Sequence, residues 1–207
     1  MMLNDITVFD FETTGLDPRT ERVIEMAAIR VINGQIVSGF HTLVNPGRPL
    51  TPKITEITGI TDDMLTDAMD ENIAFRILRN IMKDSLLVAH NAAFDLQFLH
   101  WAMQRLAGKT FDNPFIDTLT ISRERTTYPH KLTDMCSKYG VEMEGAHRAL
   151  NDVEGCWKLL NALNDQASVL PFVNKLGYLK KYDPPEWVPA YATLFPTQNK
   201  YEAREVV

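Results

Sequence analysis

Cysteine is scarce in this chain, and so are long apolar runs and positive charge. The two cysteines, Cys136 and Cys156, stand far apart, with no CxxC pair or Cys/His cluster. That excludes a disulfide framework and a structural zinc site, and fits a reducing compartment. No stretch approaches the roughly 18 apolar residues of a membrane span, so no membrane partner is expected. The start, Met1-Met2-Leu3-Asn4-Asp5, lacks a basic segment followed by an apolar run. No signal peptide is expected, and the expected location is cytoplasmic. Basic residues number 21 against 27 acidic ones, a net charge of −6. Such a balance opposes a long basic track for nucleic acid. Two divalent cations would add +4 and bring −6 to −2, with the neutralisation concentrated where a phosphate must sit.

With 207 residues, 45% of them hydrophobic, the chain can bury one core and carry an appendage. Ile6, Val8, Asp10 and Glu12 alternate with Thr7, Phe9 and Phe11, the period of a strand. Glu21–Val31 and Gln35–Val44 read as two more strands, joined by the hairpin dipeptide Asn33-Gly34. Pro46–Thr61 reads as loop and short helix, and Glu71–Met82 as an amphipathic helix. A strand over Ser85–His90 leads into a helix from Ala92 to about Leu106. A brief strand, Phe115–Asp117, precedes helices over 118–125, Lys131–Tyr139 (closed by Gly140) and Ala149–Leu163. This order predicts an α/β domain over 1–165, a mixed sheet flanked by helices. From 166 to 207, Pro171, Pro184, Pro185, Pro189 and Pro196 interrupt any long helix. That Pro-rich C-terminal extension is expected either to wrap on the domain or to bind a partner.

Acids stand where geometry wants hydrophobes. Asp95 shares a helix face with Phe98, Leu99, Ala102 and Leu106, and Asp152 shares one with Cys156, Leu159, Leu160 and Leu163. Asp10 and Glu12 continue the strand face of Ile6 and Val8. Individually, each has an ordinary explanation, since acids in first turns offset the helix dipole. Together they are harder to explain, because buried unpaired carboxylates are destabilising by several kcal/mol. Hard oxygen donors suit Mg²⁺ or Mn²⁺. His147, five residues before Asp152, has a side chain suited to general-base work. A capping or surface role is the alternative, and His90 and His100 are rival bases.

Asp10-Phe11-Glu12-Thr13-Thr14-Gly15-Leu16 resembles the first exonuclease motif of the DEDD superfamily. Ala89-His90-Asn91-Ala92-Ala93-Phe94-Asp95 resembles the second, and His147-Arg148-Ala149-Leu150-Asn151-Asp152 the third, in its DEDDh form. That branch includes the proofreading, epsilon-like exonuclease of bacterial DNA polymerase III. The resemblance implies a ribonuclease-H-like fold with a five-stranded sheet and 3′→5′ hydrolysis to nucleoside 5′-monophosphates. It implies two divalent cations, bridged by Asp10. Glu12 and Asp152 would complete the site of the attacking water, Asp95 would hold the second cation, and His147 would take the proton. Thr13, Thr14, Gly15 and Leu16 would approach the terminal nucleotide, with Leu16 as an apolar wedge, while Asn91 and Phe94 seat its sugar and base. Ile57-Thr58-Gly59-Ile60-Thr61 departs from a family loop that often has His at the position of Thr58, which leaves base stacking there open.

The expected substrate is the 3′ end of single-stranded or frayed DNA. An RNA-trimming exoribonuclease and a catalytically silent nucleic-acid-binding module are the alternatives. Arg123, Arg125, His130 and Lys131 around Tyr128-Pro129 could guide a strand, although a solvated loop is the favoured reading for most of them, and Arg148 could contact a phosphate. Ala192-Thr193-Leu194-Phe195 in the extension could dock on a polymerase or replication partner, or pack on its own domain.

Overall fold

The computed structural model describes residues 3–143 and 148–201. Its centre is a five-stranded sheet in the order β3-β2-β1-β4-β5. Strands β1 (Asp5–Thr13), β2 (Val23–Ile32) and β3 (Gln35–Leu43) form an antiparallel meander. Asn33 and Gly34 turn the second hairpin with φ of 51° and 78°, a conformation that favours just this pair. Helices α1 (Pro52–Thr58), α2 (Asp62–Leu65) and α3 (Glu71–Met82) follow. Asp70 starts α3 by accepting from the Asn72 and Ile73 amides.

Strand β4 (Leu86–Ala89) pairs in parallel with β1, and β5 (Phe115–Asp117) pairs in parallel with β4. Between them runs α4 (Ala92–Ala107), and after them α5 (Thr118–Arg125), α6 (Leu132–Lys138) and α7 (Ala149–Gln166). The alternation of β1 divides the core. Phe9 and Phe11 pack with Phe75, Leu78, Leu96 and Leu99 on the α3–α4 side. Ile6 and Val8 pack with Ile121, Val153, Leu159 and Leu160 on the α7 side. The mixed sheet and its flanking helices follow the expectation, with boundaries displaced by a few residues: β2 runs over 23–32 rather than 21–31, and α7 extends to Gln166.

The extension holds strand structure that prolines had obscured. A 3₁₀ turn at Leu170–Phe172 leads to β6 (Lys175–Leu179), which pairs in parallel with β7 (Thr193–Thr197). Asn174 bonds to Phe115 at both ends, amide to carbonyl at 2.8 Å and side chain to amide at 3.0 Å, so it covers the free edge of β5. Trp187 stacks on His100 at 3.8 Å between ring centroids, and Tyr191 donates to the Asn113 carbonyl. Leu176 is buried in the main core and Leu194 packs against it, which places β7 on the protein's own domain. No helix among the described residues is long and apolar enough to cross a membrane.

Candidate metal centre and nucleic-acid site

The acids converge at the carboxyl end of β1. Asp10 and Glu12 project toward α7, and Asp152 comes from the first turn of that helix. One carboxylate oxygen from each of these three lies within 4.8 Å of the other two. Asp95 approaches from the other side of the sheet. Pairing of β1 with β4 ends at Val8, and three residues later the Phe11 amide donates to Asp95 Oδ1 at 3.1 Å. Asp95 therefore fixes the strand residue between Asp10 and Glu12.

Crowding shows in the proton affinities. Burial, then the charges of Asp95, Asp152, Glu12 and Glu25, hold the Asp10 carboxyl well above the usual range. Burial also raises Asp95, against the opposing pull of the Phe11 amide and its own. Glu12 is pushed up to about 7, first by burial and then by Asp152 and Glu25, with Arg148 pulling the other way. Such carboxyls bind protons more tightly folded than unfolded, so folding is favoured while they are protonated. Without metal, stability should fall as pH rises from 4.5, the ordinary Glu value, through about 7. Thermal unfolding in chelator across this range should show the fall, flattened in Glu12→Gln. A wild-type curve as flat as the variant's would contradict the crowding.

Glu25 is a further carboxylate that the sequence reading passed over. It lies opposite Glu12 in the β1–β2 register and is fully buried. It accepts from His41 Nε2 at 2.7 Å, from Arg148 Nε at 3.0 Å and from the Ala149 amide at 3.4 Å. Glu25 thus ties the start of α7, and with it Asp152, to the sheet. Arg148, a candidate for phosphate contact, pairs with Glu25 here. An acid inside the apolar run Val23-Ile24-Glu25-Met26-Ala27-Ala28 was the signal available.

Residues 7–160 match the family model described as Exonuclease. The chain belongs to the exonuclease family. It is a hydrolase of the 3′→5′ exonuclease class on a ribonuclease-H-like fold. DNA polymerase III PolC-type of Bacillus subtilis is 44% identical over 166 residues, 77% of this chain and 11% of that protein. The Thermotoga maritima protein of the same name is 38% identical over 146 residues, 70% of this chain. This exonuclease chain therefore spans about a tenth (11%) of the length of these curated relatives. Among solved structures, a zinc-bound E. coli ExoI–ssDNA complex superposes with a TM-score of 0.71 at 19% identity, covering 81% of this chain and 42% of that one. Exonuclease X in complex with 5′ overhanging duplex DNA gives 0.60 at 25% identity, covering 77% and 92%.

The exonuclease motifs place their remaining residues as follows. Thr13 Oγ1 donates to the Gly15 carbonyl at 2.7 Å, and Thr14 Oγ1 accepts from the Arg22 amide and from Arg48. A Cβ at Gly15 would stand 2.9 Å from Glu21 Cδ, so only glycine fits without displacing that side chain. Leu16 is 84% exposed, an extreme for leucine. Asn91 adopts a left-handed conformation, φ 71°, and its amide donates to Asp117. Phe94 packs on Phe98, ring centroids 4.8 Å apart.

Asp117, also missed, accepts from the amides of Asn91, Ala92, Leu119 and Thr120 and so fixes the starts of both α4 and α5. Its position, last in a strand and first before a helix, was the sequence cue.

His147 lies outside the described residues. The ring nitrogens of the rival bases have partners of their own, although His90 lines the same groove as Asp10 and Asp152. His90 Nε2 donates to the His130 carbonyl and Nδ1 contacts Thr118, while His100 contacts Thr110 beneath Trp187. Burial lowers the pKa of both. Arg125, one candidate for guiding a strand, donates to the carbonyls of Leu163, Ala167 and Ser168 and closes the end of α7.

Proposed function

We propose that this chain removes nucleotides singly from DNA 3′ ends, releasing nucleoside 5′-monophosphates, with residues 1–165 as the exonuclease domain. The observation that carries this reading is the convergence of Asp10, Glu12 and Asp152 within 4.8 Å, with Asp95 bound to the intervening strand residue. A donor set of crowded carboxylates, raised in proton affinity first by burial and then by one another's charge, fits hard divalent cations. Asp10, Glu12, Asp95 and Asp152 would hold two of them, Mg²⁺ or Mn²⁺. Bound there, they supply charge stabilisation at the scissile phosphate and acidify the attacking water.

His147 takes the proton from that water. Asp95 keeps β1 in place through the Phe11 amide, and Glu25 keeps Asp152 in place through the start of α7. Thr13, Thr14, Gly15 and Leu16 contact the terminal nucleotide; the exposed Leu16 parts it from its neighbour. Asn91 and Phe94 support its sugar and base. The polymerase named in the relatives supports DNA as the substrate and a replication enzyme as the partner.

The test is a 5′-labelled single-stranded DNA incubated with the chain and Mg²⁺ or Mn²⁺, beside an RNA of the same sequence. Stepwise shortening of the DNA to mononucleotides is expected. An intact strand under both metals, or faster loss of the RNA, would overturn the reading.

A further inference from the structure

A groove of about 670 Å³ begins at Asp10 and Asp152 and runs away from them between the α5–α6 connection and the C-terminal extension. That volume is in the range of small-ligand sites. Although the chain carries a net charge of −6, this groove is lined by the cations Arg123, Lys131 and Lys181. Arg123 makes no ion pair among the described residues. Its Nη1 donates to the Gly177 carbonyl of β6 at 3.1 Å, and its buried Nε–H has no acceptor among the described residues. The groove also displays two tyrosines to water, Tyr128 at 52% and Tyr182 at 62% exposure, with Lys181 Nζ over the Tyr182 ring.

Cations that form no ion pair among the described residues, beside exposed rings, are the combination that single strands recognise. Phosphates neutralise the former and unstacked bases cover the latter. In a duplex the base faces are already stacked on one another. The extension contributes doubly: it supplies Lys181 and Tyr182, and through Gly177 it holds Arg123. β6 is in turn fixed by the Gly177 amide donating to Thr120 Oγ1 at 2.8 Å, and a Cβ at Gly177 would overlap the Thr197 side chain of β7. The subsite is therefore built before any strand arrives.

We propose that the C-terminal extension completes a subsite for the unpaired nucleotides upstream of the scissile bond. Lys131, Lys181 and Arg123 face their phosphates, and Tyr128 and Tyr182 stack their bases. The proposal rests on the exonuclease reading above and adds to it the part that the C-terminal extension plays in holding the strand.

The test compares the full chain with Lys181→Ala, Tyr182→Ala and Tyr182→Phe, using a single-stranded oligonucleotide and the p-nitrophenyl ester of thymidine 5′-monophosphate. The ester has a scissile phosphate but no upstream nucleotide. Tyr182→Ala should raise KM for the oligonucleotide about tenfold with kcat unchanged, and Tyr182→Phe should restore it. Lys181→Ala should lower the slope of log KM against log salt by about 0.7. All three variants should hydrolyse the ester as the parent does. An unchanged oligonucleotide KM, or equal losses on both substrates, would overturn the subsite. A parent chain inactive on both substrates would instead overturn the exonuclease reading beneath it.

Discussion

Replacing Asp10 with asparagine is expected to reduce turnover at least about 10³-fold while raising the melting temperature of the metal-free protein. The two effects share one cause. Asp10 faces the charges of Asp95, Asp152, Glu12 and Glu25 from a buried position, so its ionised form opposes folding until a cation compensates it. Asparagine keeps the shape and removes the charge. Relief of about 1 kcal/mol corresponds to roughly 2–4 °C in a chain of this size. The activity loss follows because charge stabilisation at the reacting phosphate depends on what Asp10 holds, and lost transition-state electrostatics of about 4 kcal/mol is about 10³-fold. Unfolding curves in chelator and initial rates on labelled DNA measure both. A variant that melts lower and keeps its activity would make Asp10 a structural residue.

His147→Ala should lower kcat by about 10²–10⁴. The residue next to it is anchored: Arg148 reaches Glu25 through both Nε and Nη2. The start of α7 is thereby fixed beside the acids. If His147 takes the proton, kcat of the parent rises with pH through the ordinary histidine range near about 6.5, and the variant loses that limb. His100→Ala should keep it, since His100 serves as a platform for Trp187. A limb that survives His147→Ala would remove His147 from the role.

The sheet and its helices were readable because their patterns are local. Asn33-Gly34 marks a hairpin by its own backbone preference, and the alternation in β1 announces which face each acid shares. Asp95 and Asp152 stood out because each interrupts an apolar helical stripe. Glu25 and Asp117 did not stand out, because what makes them important is tertiary. Glu25 gains its role from His41 across the sheet and Arg148 from far along the chain, and Asp117 from the Asn91 amide. Arg125 and Arg148 looked free for phosphate since sequence cannot show which carbonyl or carboxylate already occupies a guanidinium. The β6–β7 pair escaped for a similar reason. Its strands are short and widely separated in sequence, with prolines between them, and they are stabilised by packing on β5 and α5 more than by their own periodicity.

Anomalous diffraction from crystals soaked in Mn²⁺ addresses the carboxylate cluster most directly. The account predicts a peak within coordination distance of Asp10, Glu12 and Asp152, absent from Asp10→Asn crystals grown alike. Saturating Mn²⁺ with no peak among those oxygens would contradict it.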